Sequence, residues 1–168
     1  MSDSNAPSTL RPETEADLAF VKELYRSTRD DLLQAGLPKP MLDSLMDMQF
    51  RAMQMTYRNQ YPDADYTIVE ADGAAIGHLI VHRNAEAIRL VYIALLPPLR
   101  GQGLGGKLVR ALQNEAAQAG RPLALSVSTQ SAGAQRLYDA LGFSVVKNDG
   151  AYLEMVWPES KIQAFIET

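Results

Sequence analysis

The residues best suited to chemistry lie in one glycine-rich stretch, RGQGLGGK, at positions 100–107. Glycines let backbone N–H groups approach an anion closely, and nearby basic side chains add positive charge. The stretch therefore predicts a phosphate-binding loop. It fits three templates, namely a dinucleotide fingerprint, a P-loop without its last residue, and an Arg-x-x-Gly-x-Gly pattern. Gly101, Gly103 and Gly106 form the dinucleotide fingerprint. Residues 101–107 form the incomplete P-loop, and Arg100, Gly103 and Gly105 form the third pattern.

Two of these templates fail at residues that they require. A dinucleotide site needs an acidic residue about 20 positions further on, at the end of the next strand. The next apolar run, LALSVST at 123–129, contains no carboxylate. A P-loop needs Ser or Thr after its lysine to ligate magnesium, and Leu108 occupies that place. What remains is a phosphate site whose ligand these residues alone leave open.

The loop lies between a predicted strand and a predicted helix. The apolar run AIRLVYIALL at 87–96 leads into it, and Leu104, Leu108 and Leu112 then recur at helical spacing as far as Ala119. A helix that begins at a glycine-rich turn directs several N–H groups and the positive end of its dipole to one place. This arrangement favours a bound polyphosphate.

The remaining elements predict an α/β domain with a mixed sheet, because helices and strands alternate and two antiparallel hairpins are present. Each hairpin is centred on an Asp-Gly pair, at 72–73 and 149–150. Thr14 and Asp17 resemble a capping box. The other predicted elements are a short strand at 9–11, helices at 15–27, 41–59 and 132–143, and a strand at 122–129.

The second predicted helix is rich in methionine, and two interpretations are open. Its apolar residues could form a stripe that faces the core, as such spacing usually does. Alternatively, the flexible side chains could line an adaptable substrate pocket. The residues concerned are Met41, Met46, Met48, Phe50, Met53 and Met55.

Length and composition exclude several classes of protein. The 168 residues suit a single domain, and a net charge of −4 with a pI of about 5.2 argues against a basic nucleic-acid-binding face. The absence of cysteine excludes disulfides, thiolate metal sites and a cysteine acyl-enzyme. The polar N-terminus does not read as a secretion signal, and no apolar run approaches the roughly 20 residues that span a bilayer. We therefore expect a cytoplasmic protein with no membrane, nucleic-acid or metal partner.

Two motifs in order resemble those of the GCN5-related N-acetyltransferases (GNAT family). RGQGLG at 100–105 is similar to the family's acyl-CoA pyrophosphate loop, and SAGAQRLYDALGF at 131–143 is similar to its later helix motif. The resemblance covers residues 9–157, with a flexible segment at 1–8 and a tail at 158–168. It implies a single-domain fold with a mixed, mostly antiparallel sheet, splayed central strands and helices on both faces.

The resemblance also implies acetyl-CoA as co-substrate, without a metal. The coenzyme would lie where the strands RLVYIALL and LALSVST splay apart, and it would bind backbone groups left unpaired near Ala94 to Leu96. A backbone N–H at 93–95 would polarise the thioester carbonyl. The implied binding residues are Leu95, Leu96, Arg100, Gly101, Gln102, Gly103, Leu104, Gly105, Gly106, Lys107 and Ser131. Ser131 stands where the family usually has Asn, and a hydroxyl there could still donate to the cofactor and cap the helix.

For catalysis, the resemblance makes Tyr138 the general acid that protonates the departing thiolate. The family often places its base at positions that match Arg89 and Val91, and neither residue can accept a proton from an ammonium. His78 on the preceding strand is the best substitute, since the pKa of a histidine suits the task. A hydrogen-bonded structural histidine is the alternative, and Tyr92 and Glu86 are the next candidates.

The predicted function is therefore an N-acyltransferase that moves an acetyl group from acetyl-CoA directly to a primary amine of a small molecule. The first two helices, the second hairpin and the methionine-rich face would form the acceptor pocket. The first alternative is a non-catalytic acyl-CoA-binding module, and the second is a nucleotide-dependent enzyme. The tail packs either on the domain or on a second subunit, which would give a homodimer.

Overall fold

The computed structural model describes residues 7–167, which form a mixed α/β fold. The strands are β1 (Thr9–Pro12), β2 (Asp65–Ala71), β3 (Ala74–Arg83), β4 (Ile88–Leu95), β5 (Leu123–Ser128), β6 (Ser144–Asn148) and β7 (Tyr152–Trp157). The helices are α1 (Leu18–Ser27), α2 (Asp30–Leu33), α3 (Lys39–Gln60), α4 (Leu104–Ala119), α5 (Ala132–Ala140) and α6 (Ile162–Ile166). Most of the predicted flexible segment, residues 1–6, and the last residue of the tail lie outside the described residues.

The strands form one seven-stranded sheet in the order β1-β2-β3-β4-β5-β7-β6. β4 and β5 are parallel, whereas β1–β2, β5–β7 and β6–β7 are antiparallel. The predicted α/β class with a mixed, mostly antiparallel sheet is confirmed. Asp72 and Gly73 both have positive φ (53° and 76°), which is the conformation that a two-residue hairpin turn requires.

The chain divides into two compact units, which are described separately. The first contains the described residues up to Leu79 together with Ile93–Leu99, and the second contains Ile80–Tyr92 and the described residues from Arg100 onward. In the first unit, Val21, Tyr25, Phe50 and Ile68 form a buried cluster, with the rings of Tyr25 and Phe50 5.5 Å apart.

The start of the first helix is held by an acidic side chain. The Asp17 carboxylate accepts the backbone N–H of Thr14 at 2.8 Å, so that the predicted capping box is present. Both terminal nitrogens of Arg11 also donate to it, at 2.7 and 2.8 Å. These hydrogen bonds, the one from Arg11 first, hold the pKa of Asp17 well below its usual range.

The prediction of one methionine stripe on α3 is wrong for three of its members. Met46 and Phe50 are buried and Met53 packs against the first unit's cluster. The other three methionines are more than half exposed, and they recur every seven residues. Two helical turns separate each from the next, so that they share one outward face. They are Met41, Met48 and Met55.

In the second unit, α4 buries one side, which includes Leu108, Val109 and Leu112. The helix ends at Gly120, which is left-handed (φ 67°), as the sequence predicted. The side-chain amide of Gln113 donates to the carbonyl oxygen of Leu141 at 2.8 Å and so ties α4 to the end of α5.

Candidate active site

The glycine-rich loop forms an open backbone cradle in front of α4. Gly101 and Gly103 have positive φ (75° and 86°), and a Cβ added at either would find no atom within 4 Å. Gly103 is the N-cap of the helix and offers no side chain to its first turn. Among the described residues, the surface at these two glycines is therefore open.

The donors of this cradle fit a polyphosphate. The N–H of Lys107 bonds to the carbonyl oxygen of Gly103 at 3.0 Å, so the N–H groups of Leu104, Gly105 and Gly106 precede that helical bond. They point out of the helix at the positive end of its dipole. With the positive charges of Arg100 and Lys107, this donor set suits the diphosphate of coenzyme A.

The helix α5, which contains Tyr138, packs against this first turn. A Cβ added at Gly106 would lie 3.6 Å from Cδ1 of Leu137. The next residue, Tyr138, is only 7% exposed and packs edge-on to Phe143, with ring centroids 5.6 Å apart. Burial raises the pKa of Tyr138, so that its phenol stays protonated at neutral pH. The fold thus brings the two sequence motifs together within the second unit.

Ser131 lies immediately before α5, but its hydroxyl does not cap the helix, so that part of the prediction is wrong. Its backbone N–H instead donates to the carbonyl oxygen of Ser128 at 3.0 Å. The same oxygen accepts the side-chain amide of Gln135 at 2.9 Å. The connection between β5 and α5 is therefore held by these two hydrogen bonds and not by the predicted cap. A contact of the Ser131 hydroxyl with the coenzyme stays a prediction.

The pairing of β4 with β5 is short, as the predicted splay requires. It joins Ile88–Leu90 to Leu123–Leu125, and β5 then continues to Ser128. The predicted unpaired backbone near Ala94 to Leu96 needs one correction, because the N–H of Leu96 donates to the carbonyl oxygen of Ile76 at 2.9 Å. Successive amides of a strand point to opposite edges, so the N–H of Leu95 is directed away from that partner.

His78 and the two leucines Leu95 and Leu96 belong to the first unit. His78 is buried, and its Nε2 lies 3.0 Å from a carboxylate oxygen of Glu13. Arg58 bonds the other oxygen of Glu13 at 2.5 Å and stacks over the ring of Tyr66. Burial would raise the pKa of Glu13, but the hydrogen bond from His78 and the charges of His78 and Arg58 outweigh it and lower that pKa. The contact with Glu13 supports a structural role for His78. Its role as the general base stays a prediction.

The position where the family often has its base is occupied by a paired arginine. Arg89 forms an ion pair with Glu154 of β7, and the two side chains are 23% and 20% exposed. Ser126 also donates its hydroxyl to Glu154 at 2.6 Å. Sequence reasoning missed Glu154. The available signal is that Glu154 is the one charged residue in the apolar strand YLEMVW.

Two features of the described residues bear on other partners. Residues 7–167 contain no group of three or more His, Cys, Asp or Glu that could hold a metal ion. Within the same range, no helix combines the length and the apolar character needed to cross a membrane.

Comparison with known proteins identifies the family. The model of the acetyltransferase (GNAT) family matches residues 22–143, and the chain therefore belongs to that family. The resemblance read from the two motifs is confirmed. No curated protein matches the chain.

Solved structures share the fold at low sequence identity. PaiA N-acetyltransferase from Thermoplasma acidophilum, in complex with coenzyme A, is 18% identical, with a TM-score of 0.68 over 89% of this chain and 98% of that one. An acetyltransferase from Thermus thermophilus is 22% identical, with a TM-score of 0.63 over 90% and 96%. A GNAT family acetyltransferase from Elizabethkingia anophelis with acetyl-CoA bound is 16% identical, with a TM-score of 0.56 over 89% and 96%.

Proposed function

We propose that this protein is an acetyl-CoA-dependent N-acyltransferase that acetylates a primary amine of a small molecule. The observation that carries the proposal is the open glycine cradle at the start of α4, with α5 packed against it. Membership of the GNAT family and the coenzyme-bound solved structures support the donor. A cytoplasmic location, a homodimer and the absence of nucleic-acid and membrane partners stay predictions.

The loop would hold the coenzyme by its diphosphate. The N–H groups of Leu104–Gly106 donate to phosphate oxygens, and Arg100 and Lys107 neutralise their charge. Gly101, Gln102 and Gly103 supply the backbone around the anion. Leu95, Leu96 and Ser131 are kept as further coenzyme contacts, and for Leu96 this contact cannot use the N–H already bonded to Ile76.

When bound, acetyl-CoA supplies an activated acyl group. The nitrogen of a neutral amine bonds to the acetyl carbon, the carbon–sulfur bond breaks, and the thiolate takes up one proton while the amine nitrogen loses one. We assign the donation of that proton to Tyr138. Its phenol is protonated at neutral pH, and it lies in the helix beside the cradle. The absence of cysteine agrees with direct transfer rather than with a thiol-linked acyl intermediate.

One observation favours the alternative of a non-catalytic acyl-CoA-binding module. Arg89, at the family's usual base position, is held in an ion pair with Glu154 and cannot accept a proton. Such a module would bind acyl-CoA at the cradle but would not transfer the acyl group.

Calorimetry and a thiol-release assay separate these functions. The protein is titrated with acetyl-CoA, and free thiol is then followed with acetyl-CoA and a panel of primary amines. We expect binding together with amine-dependent thiol release. Binding without release on any amine would favour the module, and no binding at millimolar acetyl-CoA would overturn both. Magnesium-dependent binding of ATP that coenzyme A cannot displace would instead indicate a nucleotide-dependent enzyme.

A further inference from the structure

The second unit has a cleft of about 330 Å³ on the exposed side of β5, β7 and β6. Its volume lies in the range of small-molecule sites. Its lining carries charges of both signs together with one aromatic ring. The lining residues are Ser126, Lys147, Asp149, Tyr152 and Glu154.

Glu154 lies beside the end of the pairing between β4 and β5. The last paired residues of β4 and β5 are Leu90 and Leu125, and Ser126 is the next residue of β5. Ser126 is the register partner of Glu154 on β7 and donates its hydroxyl to that carboxylate. A carboxylate has about four acceptor sites, so a further donor can join Ser126 and Arg89. An ammonium can be that donor, because its charge-assisted hydrogen bond to a carboxylate is stronger than a bond between neutral groups.

The other acidic residue of the cleft is committed to the hairpin. Oδ1 of Asp149 accepts the N–H groups of Tyr152 and Ala151 at 2.7 and 2.9 Å. These hydrogen bonds lower the pKa of Asp149 and hold its carboxylate in the turn. Glu154 is therefore the carboxylate of this lining whose contacts come from side chains alone.

Lys147 supplies a positive charge opposite Glu154. The two residues are register partners on β6 and β7, so their Cβ atoms are about 5 Å apart. Lys147 is exposed and lines the cleft. The pair of opposite charges matches a short molecule with an ammonium at one end and an anionic group at the other. A second ammonium in place of the anionic group would meet the like charge of Lys147.

We propose that this cleft binds the acceptor, and that the acceptor is a short amino acid whose ammonium contacts Glu154 and whose carboxylate contacts Lys147. The bound ammonium loses one proton to water before the neutral nitrogen attacks the acetyl carbon. This inference rests on the proposed function and names its substrate class. Tyr152, which is 56% exposed, provides an apolar ring for the carbon chain between the charged ends.

The test compares three probes that share a four-carbon chain: 4-aminobutyrate, butylamine and 1,4-diaminobutane. We expect a KM for 4-aminobutyrate about fivefold below that for butylamine, because a charged contact to an exposed lysine contributes up to about 1 kcal/mol. Lys147→Ala should remove this difference by raising the KM for 4-aminobutyrate. Equal KM values for the two in the unchanged protein, or a preference that persists in Lys147→Ala, would overturn the inference. A preference for 1,4-diaminobutane would overturn it in favour of a polycation site.

Glu154→Gln tests the ammonium contact. We expect the KM for 4-aminobutyrate to rise about tenfold, with the affinity for acetyl-CoA unchanged. Glu115→Gln is the matched control, because Glu115 forms a similar two-point ion pair with Arg83 in the same unit, at 2.6 and 3.0 Å, and does not line the cleft. The control should leave KM unchanged. Unchanged KM in a folded Glu154→Gln variant would overturn the contact, and Lys147→Ala supplies the test if Glu154→Gln does not fold.

An NMR titration keeps this inference distinct from the proposed function. We expect 4-aminobutyrate to shift the backbone amides of Ser126, Lys147 and Tyr152 without any coenzyme present. These shifts in a protein that never releases thiol would overturn the enzyme and retain the binding site. Turnover without these shifts, and with unchanged KM in the variants, would overturn the binding site and retain the enzyme.

Discussion

The glycine cradle and the cleft on β5, β7 and β6 are built from different parts of the chain. The cradle consists of backbone amides, and its shape depends on left-handed glycines such as Gly103. The cleft consists of side chains on three strands, with Glu154 held by Arg89 and Ser126. Amides recognise any phosphate, whereas a particular pair of charges selects one kind of small molecule. The coenzyme, which a whole family shares, would bind to the cradle. The acceptor, which differs from one protein to another, would bind to the cleft.

Substitution in the cradle should have the largest effect. Gly103→Glu would put a carboxylate into the proposed diphosphate site, and we expect the Kd for acetyl-CoA to rise about 100-fold, because like charges cost several kcal/mol. The measurement is isothermal titration calorimetry.

Gly103→Gln is the control for that variant. Glutamate and glutamine at position 103 must both adopt a backbone φ of 86°, so both substitutions strain the backbone. Only the glutamate side chain repels phosphate. We expect a smaller loss with glutamine. Equal losses would show that backbone strain, rather than charge, causes the effect and would contradict the proposed place of the diphosphate.

Loss of the phenol should affect the reaction more than binding. Tyr138→Phe keeps the ring against Phe143 and removes the O–H, so we expect kcat to fall about 100-fold, in line with general acid catalysis, with Kd for acetyl-CoA within about twofold. Thiol release at saturating substrates measures the first quantity and calorimetry the second. Undiminished kcat would remove Tyr138 from the chemistry.

His78 provides a test in the first unit. His78→Ala leaves Glu13 with Arg58 alone, and we expect the free energy of unfolding to fall by about 1–3 kcal/mol in urea denaturation. The pH profile of kcat/KM then separates two roles for the imidazole. A flattened acidic limb would assign proton acceptance to His78, and an unchanged limb would leave it structural.

Substitution of Asp17 should have the smallest effect, and it should change only the stability of the fold. Asp17→Asn weakens the bonds from Arg11, and we expect a loss of about 1–2 kcal/mol at pH 7 with unchanged Kd for acetyl-CoA and KM for the amine. The pKa of Asp17 is lowered in the folded protein, so its contribution is present above the ordinary pKa and is lost as pH falls through the folded value. The difference between the two proteins should therefore shrink in strong acid. A constant difference would contradict the ion pair as its source.

Much of the fold followed from local patterns. The Asp72-Gly73 hairpin, the end of α4 at Gly120 and the capping box at Thr14 depend on residues close in sequence, and all three are present. The core-facing stripe predicted on α3 is wrong for Met41, Met48 and Met55, because apolar composition does not say which side of a long helix is covered. Spacing alone could have separated Met48 from Met46, since two residues advance a helix by about 200°.

The sequence by itself determined the glycine cradle and the family, because a turn with positive φ and a helix start need particular residues at fixed short spacings. Only the tertiary structure placed Arg89, Ser126 and Glu154 together, since three strands far apart in the chain contribute one residue each. It likewise gave His78 its partner Glu13, 65 residues earlier in the chain. Ion pairs between strands cannot be predicted from sequence spacing, because strand order and register decide which charged residues become neighbours.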